Sequence, residues 1–529
     1  MLQSKRKKRL LAAWGKVPDA HYFAGDLELI RLYADARGKS GRDGFLLDDI
    51  TWNDLDMDRV FRRLNPRRST AGEQVLYYLL RCPARDKAEW EARRALIDFA
   101  AADPDRRLRM ELILSRLGCT RRADLSRAFA PARRGRGALF LYLALALLLP
   151  GLILGALLGA RACLPLCVAS LFLNFIVHEI GRRRSGSDFD TVNYTVAMVF
   201  AMHRLRRLGD PALNKLLAPG FQSLSKLRAV LRTGSVAAAS DGALGDILTS
   251  ATLLDLISYE FLKNKLGRRH EEVFTIHEQL GRLDAAIAVA SWRAGLERFA
   301  QPELDFDPGR AAFLEARGLV HPLLERPVPN DLKADRPLLI TGSNASGKST
   351  FLKTAALAAL LGQSICTVTA ESCRASAFRI YSSMALRDDL AAGESYYIVE
   401  TGSLKRILDA ADAPGQTLCV VDEVLRGTNT VERIAASTEL LNALADKGVL
   451  CLAATHDIEL CSLLAGRFDL AHFEEQVGQT DMFFDYRLRP GPAATRNAIE
   501  LLRLMGFNKG LVARANARAD RYLETGAWS

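Results

Sequence analysis

Residues 341–350 read Thr-Gly-Ser-Asn-Ala-Ser-Gly-Lys-Ser-Thr, and no other stretch restricts the fold as tightly. The pattern G-x-x-x-x-G-K-[ST] is met by Gly342, Gly347, Lys348 and Ser349. Such a loop needs a strand before it and a helix after it. The apolar run Pro337-Leu338-Leu339-Ile340 supplies the strand, and the stretch from Phe351 to Leu361 supplies the helix. Glycines let backbone N–H groups turn inward around phosphate oxygens, and the helix N-terminus adds its positive dipole end. The expected phosphate cradle is Gly342, Ser343, Asn344, Ala345, Ser346, Gly347, Lys348, Ser349 and Thr350. Lys348 is expected to reach the β- and γ-phosphates, and the Ser349 hydroxyl to ligate Mg²⁺.

Three further pieces follow in order. Thr417-Leu418-Cys419-Val420-Val421 is a short β-rich run ending in Asp422-Glu423, about 75 residues after the loop. This is the Walker B arrangement. Asp422 is expected to hold Mg²⁺, and Glu423 to orient or deprotonate an attacking water. Leu450 to Thr455 is another apolar run, and it delivers His456 and Asp457 to the same end. A histidine there can hydrogen-bond the γ-phosphate or the water. Gly393-Glu394-Ser395-Tyr396-Tyr397 precedes a helix beginning near Glu400. Ser395 is a candidate signature serine, one that touches the γ-phosphate held by a second subunit.

The order of these motifs, with Arg426-Gly427-Thr428-Asn429-Thr430 after the acid pair, resembles the MutS family of ABC-type ATPases. The resemblance rests on TGSNASGKST, DDLAAGESYYIVE, VVDEVLRGTNT and ATHDIEL. It extends to Gly318–Leu324 upstream and Tyr486–Gly491 downstream. A softer match near the start, through Ser69-Thr70-Ala71-Gly72 and Leu79–Pro83, looks like the opening of the family's helical core. The family's loop usually has Pro, Met and Gly or Ala where this chain has Ser343, Ala345 and Ser346. The family's glycine before Arg-Gly-Thr is Leu425 here, and Tyr396 replaces a threonine. None of these removes a phosphate ligand. The resemblance implies a Mg²⁺-dependent ATPase that binds ATP, works as a homodimer, and is related to DNA mismatch repair proteins. The core-like segment begins within about 60 residues, so the domain that reads mismatches is expected to be absent, and the clamp absent or shortened.

The chain has 529 residues and a formal charge of +11. That balance suits nucleic acid or anionic lipid and does not choose between them. Its nine cysteines form no C-x-x-C pair, and they read as small buried hydrophobes of a reducing compartment.

Ala138 to Ala160 is apolar throughout and carries no charge. Roughly 20 such residues cross a hydrocarbon core. After Arg161, a second run extends from Ala162 to Val177 and contains Asn174. Arg133, Arg134 and Arg136 precede the pair, and Arg182, Arg183 and Arg184 follow it. The positive-inside rule puts both ends in the cytoplasm, giving a multi-pass protein of the cell membrane with its ATPase part and both termini inside. The cluster Lys5-Arg6-Lys7-Lys8-Arg9 beside Leu10, Leu11 and Trp14 suits an anionic leaflet or nucleic-acid phosphates, and such clusters are also found as solvated tails.

The expected architecture is a C-terminal α/β P-loop ABC-type ATPase domain plus an all-α core domain carrying a transmembrane helical hairpin. The expected divisions are a basic segment at 1–44, helical core at 45–136, hairpin at 137–181, helical core again at 182–300, and the ATPase domain with terminal helices at 301–529. Two functions are compatible with this plan. One is a membrane-anchored dimeric ATPase that acts on DNA. The other is a tethered ABC-type ATPase that drives a non-DNA partner. A transporter is disfavoured, because two helices per chain give only four in a dimer.

Overall fold

The computed structural model describes residues 2–38, 44–120, 137–228, 230–231, 250–343, 346–384, 396–426, 428–477, 482–493, 499, 502–503 and 505–525. The chain divides into two compact units. The first comprises Met1–Asp43, Leu64–Tyr78 and Ala95–Ala294; the second comprises Gly44–Arg63, Leu79–Arg94 and Gly295–Ser529.

The first unit is helical among the described residues. With helices numbered along the chain, it contains α1 (Leu2–Ala13), α2 (Asp26–Gly38), α7 (Pro104–Leu114), α8 (Gly137–Leu157), α9 (Cys163–Arg206), α10 (Pro211–Leu216), α11 (Ala218–Lys226), α12 (Leu254–Gly267) and α13 (His270–Gly295). Helices α5 (Thr70–Arg81) and α6 (Lys87–Ala102) contribute residues to both units. The start of α5 shows why Ser-Thr-Ala-Gly stands there. Ser69 Oγ accepts the Gly72 N–H at 3.0 Å, capping the helix, and donates to Asp284 of α13 at 2.5 Å. Gly72 has no room for a side chain, since a Cβ would lie 2.1 Å from Asp284 Oδ2. Gly281 repeats this on the facing helix, where a Cβ would lie 2.5 Å from Ala71 O. Arg68 balances the buried Asp284 at 3.2 Å and Glu111 at 3.4 Å, and His277 meets Gln74 at 3.0 Å.

Helices α8 and α9 pair as the two apolar runs. Ala138–Leu157 has a mean hydropathy of 2.4 with none of its window buried within the protein, and Cys163–Arg184 has 1.8 with 17% buried. Both are long and apolar enough to cross a membrane. The second does not stop at its arginines. Helix α9 runs unbroken past Arg182–Arg184 to Arg206, because arginine is as good a helix former as leucine. Its far half turns inward, with Met198, Val199, Met202 and Leu205 buried. Asn174, on the apolar half, is fully buried and donates to Ala251 O at 2.7 Å. One turn later His178 meets Asp255 of α12 at 2.8 Å. Asn174 and His178 thus have partners at and just before the start of α12.

The second unit holds two sheets. One has four strands in the order β1-β5-β2-β3, formed by β1 (Glu303–Asp305), β2 (Leu314–Leu319), β3 (Asn330–Ala334) and β5 (Ser372–Ser376). The other is a mixed six-stranded sheet in the order β10-β9-β4-β8-β7-β6, formed by β4 (Leu338–Thr341), β6 (Phe378–Ser383), β7 (Gln416–Asp422), β8 (Leu450–Thr455), β9 (Asp469–Val477) and β10 (Met482–Pro490). Strands β9, β4, β8, β7 and β6 are parallel, and β10 is antiparallel. The central strands are buried on both faces, which is why they read as unbroken apolar runs rather than alternating ones. The helices of this unit are α3 (Asp49–Asp54), α4 (Met57–Leu64, through Arg63), α14 (Lys348–Ile365), α15 (Tyr396–Ala410), α16 (Thr430–Asp446), α17 (Glu459–Leu464) and α18 (Lys509–Thr525).

Residues 44–63 belong with the sheets although they precede them by some 250 positions. Polar contacts hold them there. Asp54 accepts from Ser382 Oγ at 2.6 Å and from Met384 N at 3.1 Å, at the end of β6. Asp56 pairs with Lys353 of α14 at 2.8 Å, and Asp48 pairs with Arg406 of α15.

Candidate functional site

The register of the parallel strands decides which residues meet. Thr341 stands opposite Thr455, and Asp422 opposite Ala454. The residues that follow these strands, Gly342, Glu423 and His456, therefore emerge at one edge of the sheet. In open α/β sheets that carboxyl edge is where ligands bind.

From β4 the chain enters the glycine loop. Gly342 takes φ 144° and Gly347 φ 105°, values that favour glycine. A Cβ on Gly342 would lie 2.7 Å from Phe473 O, so this turn excludes any other residue. Ser346 is buried, and its Oγ has no hydrogen-bond partner among the described residues. Lys348 opens α14 and is buried; its ammonium donates to Gly342 O and Ser343 O, each at 2.7 Å. Ser349 and Thr350, one position further on, face solvent. Asn344 and Ala345 lie outside the described residues, as does Ser395.

Asp422 ends β7, is 5% exposed, and its Oδ1 has no hydrogen-bond partner among the described residues. Glu423 follows with φ 61°, a left-handed conformation uncommon outside glycine, and its N–H donates to Ala454 O at 2.9 Å. The kink turns its carboxylate toward His456, whose Nε2 meets it; His456 Nδ1 lies 3.0 Å from Gly342 O. Burial pushes the Glu423 carboxyl up, but the His456 hydrogen bond and the charges of His456, Arg426 and Lys348 outweigh it and hold the group below its ordinary range. Glu423 is thus an anion held ready, with Arg426 on its other side. Asp457 does not join this group: it forms a two-point ion pair with Arg433 of α16 at 2.7 and 2.9 Å.

Two cavities open on this cluster. One, of about 480 Å³, is lined by the glycine loop, Glu423 and Arg426, and on its apolar side by Leu324, Pro327, Val328, Phe473 and Tyr486. The other is lined by Ser349, Asp422, Arg426 and Lys353, and by residues 50, 52–54 and 56–59 with Asp54 and Asp56 among them. Ser349 and Asp422, the two expected metal ligands, therefore face one space. The place of Arg426 beside Glu423, and the approach of residues 50–59, do not follow from motif spacing. The clearest local signal is the acid-rich run Asp54-Leu55-Asp56-Met57-Asp58. Leu425 adopts φ 58° while 2% exposed, keeping a glycine-like backbone where the resemblance expects glycine.

Comparison with known proteins agrees with this geometry. The family model for MutS domain V matches residues 338–523. The DNA mismatch repair protein MutS of Thermus thermophilus is 34% identical over 269 residues, covering 48% of this chain and 33% of that protein. The corresponding MutS of Natronomonas pharaonis is 33% identical over 287 residues, 51% of this chain and 32% of that one. DNA mismatch repair protein MutS 2 of Haloarcula marismortui is 29% identical over 303 residues, 51% and 31%. The match thus spans about a third of the length of these relatives. Residues 338–523 thus match a MutS domain V, and over about half its length the chain is similar to proteins of the MutS family.

Proposed function

We propose that this chain binds ATP with Mg²⁺ at the glycine loop and hydrolyses it, as a homodimer anchored in the cell membrane by α8 and α9. The observation that carries the reading is that Ser346 Oγ and Asp422 Oδ1, buried and without a hydrogen-bond partner among the described residues, belong to residues lining the two cavities beside a glycine turn that no Cβ could enter. Buried polar atoms at a cavity wall are satisfied by what fills the cavity. A phosphate chain in the loop and a hydrated cation at Ser349 and Asp422 supply those partners, so the donor set fits ATP and Mg²⁺. Bound Mg²⁺ would neutralise charge developing on the phosphates.

The residues then divide the work. Loop N–H groups and Lys348 hold the phosphates, and the lysine gives up its two carbonyl contacts to do so. Pro327, Val328 and Tyr486 offer an apolar wall for a base. Glu423, ionised and fixed by His456 and Arg426, accepts a proton from, or orients, the attacking water. Ser395 completes the site of the neighbouring subunit, which is why the pair is head-to-tail.

The relatives are named as DNA mismatch repair proteins, which favours DNA as the partner, and the +11 charge is compatible with it. Purified protein should turn over ATP only with Mg²⁺, and Lys348→Ala should weaken nucleotide binding by roughly tenfold or more. Unchanged binding by that variant removes the site. Repeating the assay with duplex DNA over a salt series separates the readings: stimulation that fades steeply with salt supports DNA, and none at any salt supports a non-DNA partner. The tether rests on two uncharged apolar runs, Ala138–Ala160 and Ala162–Val177, with exposed apolar side chains and arginine flanks. A reporter active only outside the cytoplasm should give signal when fused at Arg161 and none at Ser529. The reverse pattern, or a monodisperse protein without detergent, rules the hairpin out as a membrane span.

A further inference from the structure

A third cavity, of about 710 Å³, lies within the first unit, away from every motif that the nucleotide site absorbs. Its distinctive wall is cationic: Lys5, Arg6 and Arg9 from α1, Arg67 and Arg68 from the turn before α5, and Arg116 after α7. These come from three separated chain segments and converge on one concavity. Glu111 is the one acid among the described lining residues.

The six cations are of two kinds. Arg67 and Arg68 are already matched, Arg67 to Asp26 at 2.6 Å and Glu73 at 3.4 Å, Arg68 to Glu111 at 3.4 Å and Asp284 at 3.2 Å. They are fixed in place by acids at their backs. Lys5, Arg6, Arg9 and Arg116 have no ion-pair partner among the described residues. Four uncompensated positive charges around one hollow repel one another, and an anion relieves this. A solvated tail does not explain the arrangement, since α1 is docked: it packs along α7, and just beyond its end Gly15 N donates to Ser291 Oγ at 3.1 Å.

We propose that this cavity binds a ligand bearing two or more clustered phosphate groups, either a free polyphosphorylated molecule or the headgroup of an anionic lipid. The cavity has the volume typical of a small-molecule pocket. Cations arranged around a hollow suit a compact group better than a duplex, which favours a stripe along a surface. Arginine matches phosphate oxygens with two N–H donors at once, and three of the four free cations are arginines. Leu10, Ala13 and Trp14 give the hollow an apolar side that a non-phosphate part of the ligand can cover.

Helix α1 contains its own control. Lys7 and Lys8 carry the same charge on the same helix but do not line the cavity. The test uses the full chain in uncharged detergent, on a Lys348→Ala background so that the glycine loop does not take the probe. Binding of inorganic tripolyphosphate is measured by calorimetry for the parent, for Arg6→Ala/Arg9→Ala, and for Lys7→Ala/Lys8→Ala. The expected result is saturable binding that weakens roughly tenfold or more in the first pair and stays within about twofold in the second. Arg116→Ala, distant in sequence from α1, should weaken it as well. Adding cardiolipin, whose headgroup carries two phosphates, to the micelles identifies the source: competition in the parent, lost in Arg116→Ala, assigns a lipid headgroup, and no competition assigns a free ligand. Equal weakening by both double variants, or no binding of either probe, overturns the proposal.

Discussion

Each unit buries a cluster of charged side chains, and the two clusters are resolved differently. In the first unit the charges are ion-paired, with Arg68 between Asp284 and Glu111, Ser69 donating to Asp284 and His277 Nε2 meeting Gln74, although Asp284 Oδ1 and Arg68 Nη1 make no hydrogen bond among the described residues. In the second, Asp422 Oδ1 and Ser346 Oγ have no hydrogen-bond partner among the described residues, Glu423 takes a left-handed backbone, and both cavities open onto the group. Matched buried charge registers helices against each other. Unmatched buried polarity beside a cavity, with strain in the backbone, is what a binding site looks like before its ligand arrives. The contrast predicts that damage to the first cluster reduces stability and spares turnover, and that damage to the second does the reverse.

The largest effect should come from Glu423→Gln. The amide keeps the shape and loses the negative charge facing His456 and Arg426. Steady-state hydrolysis should fall by on the order of 10² or more while nucleotide binding persists. The melting temperature should move little, because the group is at a cavity wall. A variant with near-normal turnover, or one that merely unfolds, breaks the contrast at its functional end.

The first cluster can be probed through pH. His277 is fully buried, and burial alone pushes its pKa down to about 3. The unfolded chain therefore takes up a proton below about 6.5 that the folded chain refuses until about 3. Stability contributed by the neutral ring is whole above the unfolded value and drains away as pH falls through that window. Burial pushes Glu73, in the same unit, up to about 7, with Arg67 opposing. Its sign is opposite: between about 4.5 and 7 the fold holds the extra proton, so stability declines as pH rises. The two partly cancel between 4.5 and 6.5. In His277→Gln, the stability difference from the parent should shrink as pH drops, by up to about 1.4 kcal/mol per pH unit. Hydrogen exchange in α5 and α13 reports it. A pH-independent difference would mean the ring is not buried neutral, and a parallel change in ATP turnover would blur the two clusters.

How legible this was depends on the range of the interaction. The strand, glycine loop and helix around Lys348 could be read because their residues are consecutive and the backbone needs of Gly342 and Gly347 are local. The meeting of Gly342, Glu423 and His456 could be read because parallel strands deliver their ends to one edge. The apolar runs at α8 and α9 were equally plain, but the continuation of α9 to Arg206 was not, since composition marks a change of surroundings and not a break in a helix. The docking of residues 44–63 onto the sheets depends on pairs such as Asp54 with Ser382, more than 300 positions apart. No periodicity encodes that. The glycine-like backbone at Leu425 was hidden for another reason: the residue's own burial compensates for a conformation its type disfavours.

The smallest effect tests the border between the two kinds of cluster. Lys353 of α14 pairs with Asp56 at 2.8 Å, and both line the cavity that also contains Ser349 and Asp422. As a matched pair it belongs with the structural kind. By position it belongs with the site, because it ties residues 50–59 to the helix that carries Lys348. Both side chains are roughly 30% exposed, so the Coulomb gain is screened and their loss should cost no more than about 1 kcal/mol. Lys353→Met retains the aliphatic stem and removes the charge. If the pair only fastens a helix, stability drops by that amount and the Mg²⁺ concentration needed for half-maximal turnover stays put. If Asp56 helps shape the space in front of Asp422, freeing it from Lys353 adds a negative charge there, and the Mg²⁺ requirement should fall a few-fold at unchanged saturating rate. We expect the second result, because Asp54 on the neighbouring turn is already engaged by Ser382 and Met384, leaving Asp56 as the carboxylate with freedom to turn toward the cavity. Asp56→Asn should then abolish the gain when combined with Lys353→Met, whereas a purely structural pair would leave the double variant no different from either single one.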